Sequence, residues 1–137
     1  GTAKLWIPSY THTIASLAPD KVKDPDATHV EVPLKTLDSI LGERKTEGMK
    51  IDAEGQELAI LKGSEQTLQR DSPWLLLECD VAIERSLSLE NWPVHRFLAT
   101  MDYQAFEISD LETPLDPTEI RKTQEDAINL LYRIPES

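Results

Sequence analysis

Between Met49 and Glu78 the hydrophobic pattern changes period twice, and those changes leave few folds open. Residues 47–52 form a very short alternation built on Met49 and Ile51, which predicts a strand. From Glu54 the spacing lengthens to that of a helix. Leu58, Leu61, Glu65 and Leu68 share a stripe with Ile60 beside it, Glu54 and Glu57 stand in or before the first turn, and Arg70 closes the last. The pattern predicts one helix from Glu54 to Arg70. Gly63 inside it costs about 1 kcal/mol relative to alanine, so its expected use is close packing onto a sheet. Trp74 to Cys79 is then a continuous apolar run between Pro73 and Asp80, the pattern of a strand covered on both faces.

Downstream, Asn91 is placed to cap a helix with Pro93 in its first turn and Val94, Phe97, Leu98 and Met101 on its apolar face. Tyr103 to Ile108 reads as a strand. The polar stretch Asp110 to Asp126 holds Pro114 and Pro117, with one helical turn expected near Thr118 to Lys122, and Ala127 to Ile134 reads as a final strand closed by Pro135. Upstream, residues 3–8 predict a strand ended by Pro8, with a polar turn at 9–12 and a second extended piece around Ile14 to Leu17 completing a hairpin. Residues 19–27 carry turn formers and breakers and predict a surface loop. Thr28 to Thr36 alternates, and Pro33 confines it to an edge strand. Thr36 can cap a short helix over Leu37 to Leu41, with Gly42 as its stop.

From residue 47 the order strand, helix, strand, helix, strand, long connection, strand marks an α/β layered sheet. At 137 residues one domain is expected, with a hairpin and edge-strand region over 1–36 and an α/β core over 47–137. The net charge of −11, without a Lys/Arg cluster, argues against nucleic acid or an anionic membrane as partner. The longest apolar run, Trp74 to Leu77, is far short of the ~20 residues that span a bilayer. The single cysteine, Cys79, sits in that apolar strand and reads as a small buried hydrophobe. The chain opens Gly-Thr without a secretory leader pattern, so it is expected to be cytoplasmic and cut from something longer.

Ligands of open α/β sheets sit beyond the carboxyl ends of the strands. Asp52 stands at such an end, with Glu54 and Glu57 following it, and Glu78 closes the next strand, so a parallel pair would bring these acids to one rim. Bland roles compete: Asp52 can cap the helix, Glu57 can favour its N-terminus, and Glu78 can accept bonds from a neighbouring loop. A hard cation would also favour clustered oxygens, but the spacing fits no calcium loop and no metal ligands are assigned. His12 lies in the hairpin turn, His29 on an edge strand and His95 on the polar side of a helix, each read as a surface histidine, and none has a partner at metal-ligand spacing. Trp6, Trp74 and Trp92 read as core or rim packing.

The series Lys50-Ile51-Asp52-Ala53-Glu54-Gly55-Gln56-Glu57-Leu58, Leu61-Lys62-Gly63, Pro73 and Leu77-Glu78 resembles the pattern of the FkbM methyltransferase family. Thr36-Leu37-Asp38 is similar to that family's T-L-D segment, and Leu5 to Leu17 to the hairpin before it. The resemblance implies a Rossmann-like enzyme that moves the methyl group of S-adenosylmethionine, usually to a hydroxyl of a sugar or natural product. It also implies that the fourth and fifth strands of that sheet lie here, while the earlier strands, with their Gly-rich loop, do not. No G-x-G-x-x-G occurs among the five glycines, so this chain alone is not expected to bind the cofactor.

Methyl transfer to an alcohol needs a base for the proton and an acceptor held in line. Asp52 is the first candidate for that base and Glu54 the second, with Glu57, Glu78 and His12 as substrate-binding groups. The reading from a different class is a non-catalytic binding or assembly module derived from the same fold. The strand at 48–52 would lack its neighbour, and is expected to be covered by the amino-terminal segment, a partner chain or a second copy.

Overall fold

The computed structural model describes residues 1–11, 15–80, 86–122 and 127–136. The chain divides into two compact units, Gly1–Thr36 and Leu37–Ser137.

In the first unit, β1 (Thr2–Ile7) and β2 (Thr28–Pro33) form an antiparallel two-stranded sheet, with Leu5 opposite Val30 and Trp6 opposite His29. The hairpin expected from β1 and the segment around Ile14 to Leu17 is met in part. The ladder is made with β2, and among the described residues the segment contributes one antiparallel bridge, Trp6 to Ser16. Both backbone bonds of that bridge are made, at 2.8 and 3.0 Å. Residues 12–14 lie outside the described residues. The turn-rich stretch after it folds as a single 3-10 turn over Pro19–Lys21, and Val22 behind it is buried.

The second unit opens with α1 (Leu37–Leu41), as the sequence predicts, and continues into β3 (Gly48–Ile51). The single helix expected from Glu54 to Arg70 is two: α2 (Glu57–Lys62) and α3 (Glu65–Asp71), parted at Gly63 and Ser64. The buried Ser64 hydroxyl donates back to the carbonyls of Ile60 and Leu61, at 2.9 and 3.0 Å. That local bonding competes with continuation of the helix. A second cause is distant in sequence. Asp38 of α1 accepts from the backbone N–H groups of Gln66 and Thr67, at 3.0 and 2.9 Å, and from the Thr67 hydroxyl at 2.6 Å. Its own N–H donates to the Gly63 carbonyl at 2.9 Å. Asp38 thus does for α3 what a capping side chain does within one helix, and Gly63 sits at the break instead of packing mid-helix.

β4 (Trp74–Asp80) lies parallel to β3, pairing Ile51 with Leu77. Leu75, Leu77 and Cys79 are fully buried, whereas Trp74 is exposed and Leu76 and Glu78 are half-buried. The strand expected to be covered on both faces is thus sealed on one. A 3-10 turn at Leu89–Asn91 leads to α4 (Pro93–Ala99), so Asn91 belongs to the turn and Trp92 precedes the helix. β6 (Gln104–Glu107) follows. The helical turn expected near Thr118 to Lys122 is corrected to a short strand, β7 (Ile120–Lys122), paired antiparallel with β5 (Ser86–Ser88). β8 (Ala127–Arg133) ends the fold, lying antiparallel between β4 and β6.

The main sheet therefore runs β3-β4-β8-β6, a mixed sheet of four strands in an α/β protein. Its buried face carries Ile51, Leu75, Leu77, Cys79, Ala105, Leu130 and Tyr132, packed with Leu61, Leu68, Val94 and Leu98 from the helices. Fully burying one such leucine stabilises by roughly 1.5–3 kcal/mol. β3 ends the sheet, and among the described residues no strand pairs on its outer side. No helix of the described residues is long and apolar enough to cross a membrane.

Candidate functional site at the carboxyl rim

Parallel pairing of β3 and β4 puts the residues after Ile51 and after Leu77 at one end of the sheet, so Asp52 and Glu78 become neighbours across the rim. Glu54 joins them. Carboxylate oxygens of Asp52, Glu54 and Glu78 all lie within 4.8 Å of one another, with the first two residues exposed and the third half-buried. Three hard oxygens at that separation could share a hard cation, although exposed acids also gather without one.

Glu57 takes a different place. It is buried, and its Oε1 accepts from the backbone N–H groups of Ala53 and Gly55, at 3.0 and 3.2 Å. The turn it holds closes with Gln56 N–H donating to the Ala53 carbonyl at 3.1 Å. Its two central residues, Glu54 and Gly55, have φ of 51° and 94°. Glycine adopts such a conformation without the steric penalty that other residues carry. The acid pattern Asp-x-Glu-Gly-x-Glu is therefore one local device: the last glutamate fixes the turn on which the first two acids stand.

Beside the rim, an open cleft runs along β3, lined by Leu37, Met49, Lys50, Ile51, Asp52, Ala53 and Ile60. Its wall is apolar apart from Lys50 and Asp52. Leu37 reaches it because Asp38, the next residue, is tied to α3. Burial would raise the Asp38 carboxyl, but bonds from the Thr67 hydroxyl and the Thr67 and Gln66 backbone, with the Arg70 charge, outweigh it and hold the group below its ordinary value.

Of the residues expected to act, the structure brings Asp52, Glu54 and Glu78 together and turns the Glu57 carboxylate onto backbone. His12 lies outside the described residues. His95, read from sequence as a surface histidine, is buried: its Nδ1 is 3.0 Å from the Tyr132 hydroxyl, and burial lowers its pKa. Asp38 carried no hint of its distant helix, whereas His95, three residues before Leu98, stood at the margin of the apolar stripe and could have been read as buried.

Among curated proteins and solved structures no match is found. A model described as the Methyltransferase FkbM domain matches residues 7–109 of the 137, from the end of β1 to just beyond β6. The matched span takes in the rim, its three converging acids and the clamp behind them, and it covers well over half of the sequence. The chain belongs to the FkbM methyltransferase family.

Proposed function

We propose that this chain supplies the acceptor side of an S-adenosylmethionine-dependent O-methyltransferase acting on a hydroxyl of a sugar or natural product. The observation that carries the reading is the convergence of Asp52, Glu54 and Glu78 at the carboxyl ends of two parallel strands, within a matched methyltransferase domain. The residues present do not fit the cofactor. The cleft along β3 offers only Lys50 and Asp52 as polar lining, and the described residues hold no Gly-rich strand-to-helix turn to receive the donor. The reading accordingly assigns the donor to residues other than these, and no step is routed through it.

In this reading Asp52 accepts the proton of the acceptor hydroxyl as the new bond to oxygen forms, because it is the exposed acid nearest the apolar cleft and lines both cleft and rim. Glu54 is the second candidate for that role. Glu78 binds the acceptor through a further hydroxyl, since sugars and related compounds present several donors to a carboxylate. His12 remains a proposed substrate contact. The parent sheet is read as a larger Rossmann-like one in which β3 and β4 are inner strands.

A second reading is favoured by one observation, the outer side of β3, which no described strand pairs. An unpaired edge is a template for another chain, so a non-catalytic assembly module would join a partner or a second copy through residues 48–52. Calorimetric titration with S-adenosylmethionine separates the two. Under the enzyme reading this chain gives no heat, and a chain extended by residues encoded upstream of Gly1 binds. Failure of the extended chain to bind sinks the enzyme reading in favour of the module.

A further inference from the structure

The geometry points to Glu57 as the positioning residue of the acidic rim, acting through the backbone of the Asp52–Gly55 turn and making no contact with substrate. This rests on the methyltransferase reading for its purpose, though not for its test. Glu57 Oε1 accepts two N–H groups, and both are informative. The Ala53 N–H belongs to the peptide that leaves Asp52, and the Gly55 N–H to the peptide that leaves Glu54. One buried oxygen therefore fixes the plane that follows each exposed acid. Those planes set where the two side chains start, and the acids meet Glu78 of β4 within 4.8 Å.

The turn has reason to need such a hold. Glu54 is a non-glycine residue at a φ of 51° and Gly55 follows at 94°, so two successive residues leave the common regions of backbone space. A charge-assisted bond to each peptide offsets that conformational cost. Burial also separates Glu57 from its three neighbours: it is 8% exposed, whereas Asp52 and Glu54 are open to solvent. A group so covered, with Oε1 committed to the chain itself, is placed to shape the site and not to touch its ligand.

Two variants test this on the full chain. Glu57→Gln keeps an oxygen at the same reach, while Glu57→Leu removes the acceptor at similar volume; both lose the charge, so their difference isolates the hydrogen bonds. Amide hydrogen exchange and the carboxyl ¹³C signals of Asp52 and Glu54 are read by NMR. In Glu57→Leu the Ala53 and Gly55 amides should exchange about tenfold faster or more, the loss expected for bonds to a charged acceptor. The carboxyl signals of Asp52 and Glu54 should move with them, and Glu57→Gln should restore both. If the amides change while the two carboxyl signals stay in place, Glu57 is merely structural and the proposal fails. It fails equally if Glu57→Gln is as disturbed as Glu57→Leu, or if neither differs from the parent. None of these outcomes depends on cofactor binding, so failure of the extended chain to bind S-adenosylmethionine would overturn the enzyme reading and leave this result standing.

Discussion

The two ends of the four-stranded sheet handle their ionisable groups in opposite ways. At the carboxyl rim, Asp52 and Glu54 are exposed and gather with Glu78. At the other end, where β4 begins, Tyr103, Tyr132 and His95 are buried and paired. Tyr132 lies opposite Leu75, fully buried, its hydroxyl 3.0 Å from His95. The Tyr103 hydroxyl donates to the Pro73 carbonyl at 2.8 Å, and burial pushes its pKa up to about 12. Burial likewise raises the Tyr132 phenol, with a further contribution from the Cys79 thiol. The difference teaches that polar groups at one end serve packing while the acids at the other stand at an open rim, since a buried polar group is tolerated only when paired.

Mutations can break that division. The largest effect is expected from Tyr132→Ala, which empties the closed end and orphans His95. By analogy with other aromatic truncations it should cost about 3–5 kcal/mol, read from urea unfolding. Asp38→Ala comes next. Removing the distant cap of α3 should cost about 1–2 kcal/mol, the range measured for helix caps, and should speed amide exchange at Gln66 and Thr67. If it costs nothing, the break at Gly63 and Ser64 is stable without α1.

Acidification probes the closed end by charge. His95 is held neutral by burial, with its folded pKa below the ordinary 6.5. The unfolded chain therefore takes up the proton first as pH falls. The stability tied to neutral His95 is complete above about pH 6.5 and is lost as pH drops through the lower folded value. Asp38 has the same sign in a more acid window, its contribution being complete above its ordinary 3.8 and lost below. Unfolding curves at successive pH values should show the upper step vanish in His95→Gln while the lower one persists. The smallest effect on stability is expected from Asp52→Asn, within about 0.5 kcal/mol as for exposed substitutions. On the enzyme reading the same change, made in the extended chain, should abolish most methyl transfer. A destabilisation as large as that of Asp38→Ala would mean that the rim, too, is built for packing.

Much of this was legible from residue spacing. α1 emerged over Leu37 to Leu41, and β4 stood out as an apolar run because five of its residues, Leu75 to Cys79, are wholly or half buried. The meeting of Asp52 and Glu78 followed from parallel pairing alone. What stayed hidden depended on contacts between distant residues. Leu58, Leu61, Glu65 and Leu68 keep helical spacing straight across the break, so it takes the Ser64 back-bond and Asp38, 29 residues before Thr67, to reveal that α3 starts anew. β7 is a strand because β5 pairs with it, and Thr118 to Lys122 alone carries too little pattern to say so. The role of Glu57 was half-readable: its place before the helix was plain, but its turn back onto Ala53 and Gly55 is a property of the folded turn.

The position of β8 has a consequence for how the protein is made. β4 and β6 are not paired to each other; each meets β8, and β8 leaves the ribosome after both. Until residues 127–133 arrive, one edge of β4 and the edge of β6 that faces β8 wait without their partner strand while translation proceeds, and such waiting edges invite aggregation. A nascent chain arrested before residue 127 should accordingly be cut by protease throughout β4 and β6, and become resistant once β8 is released.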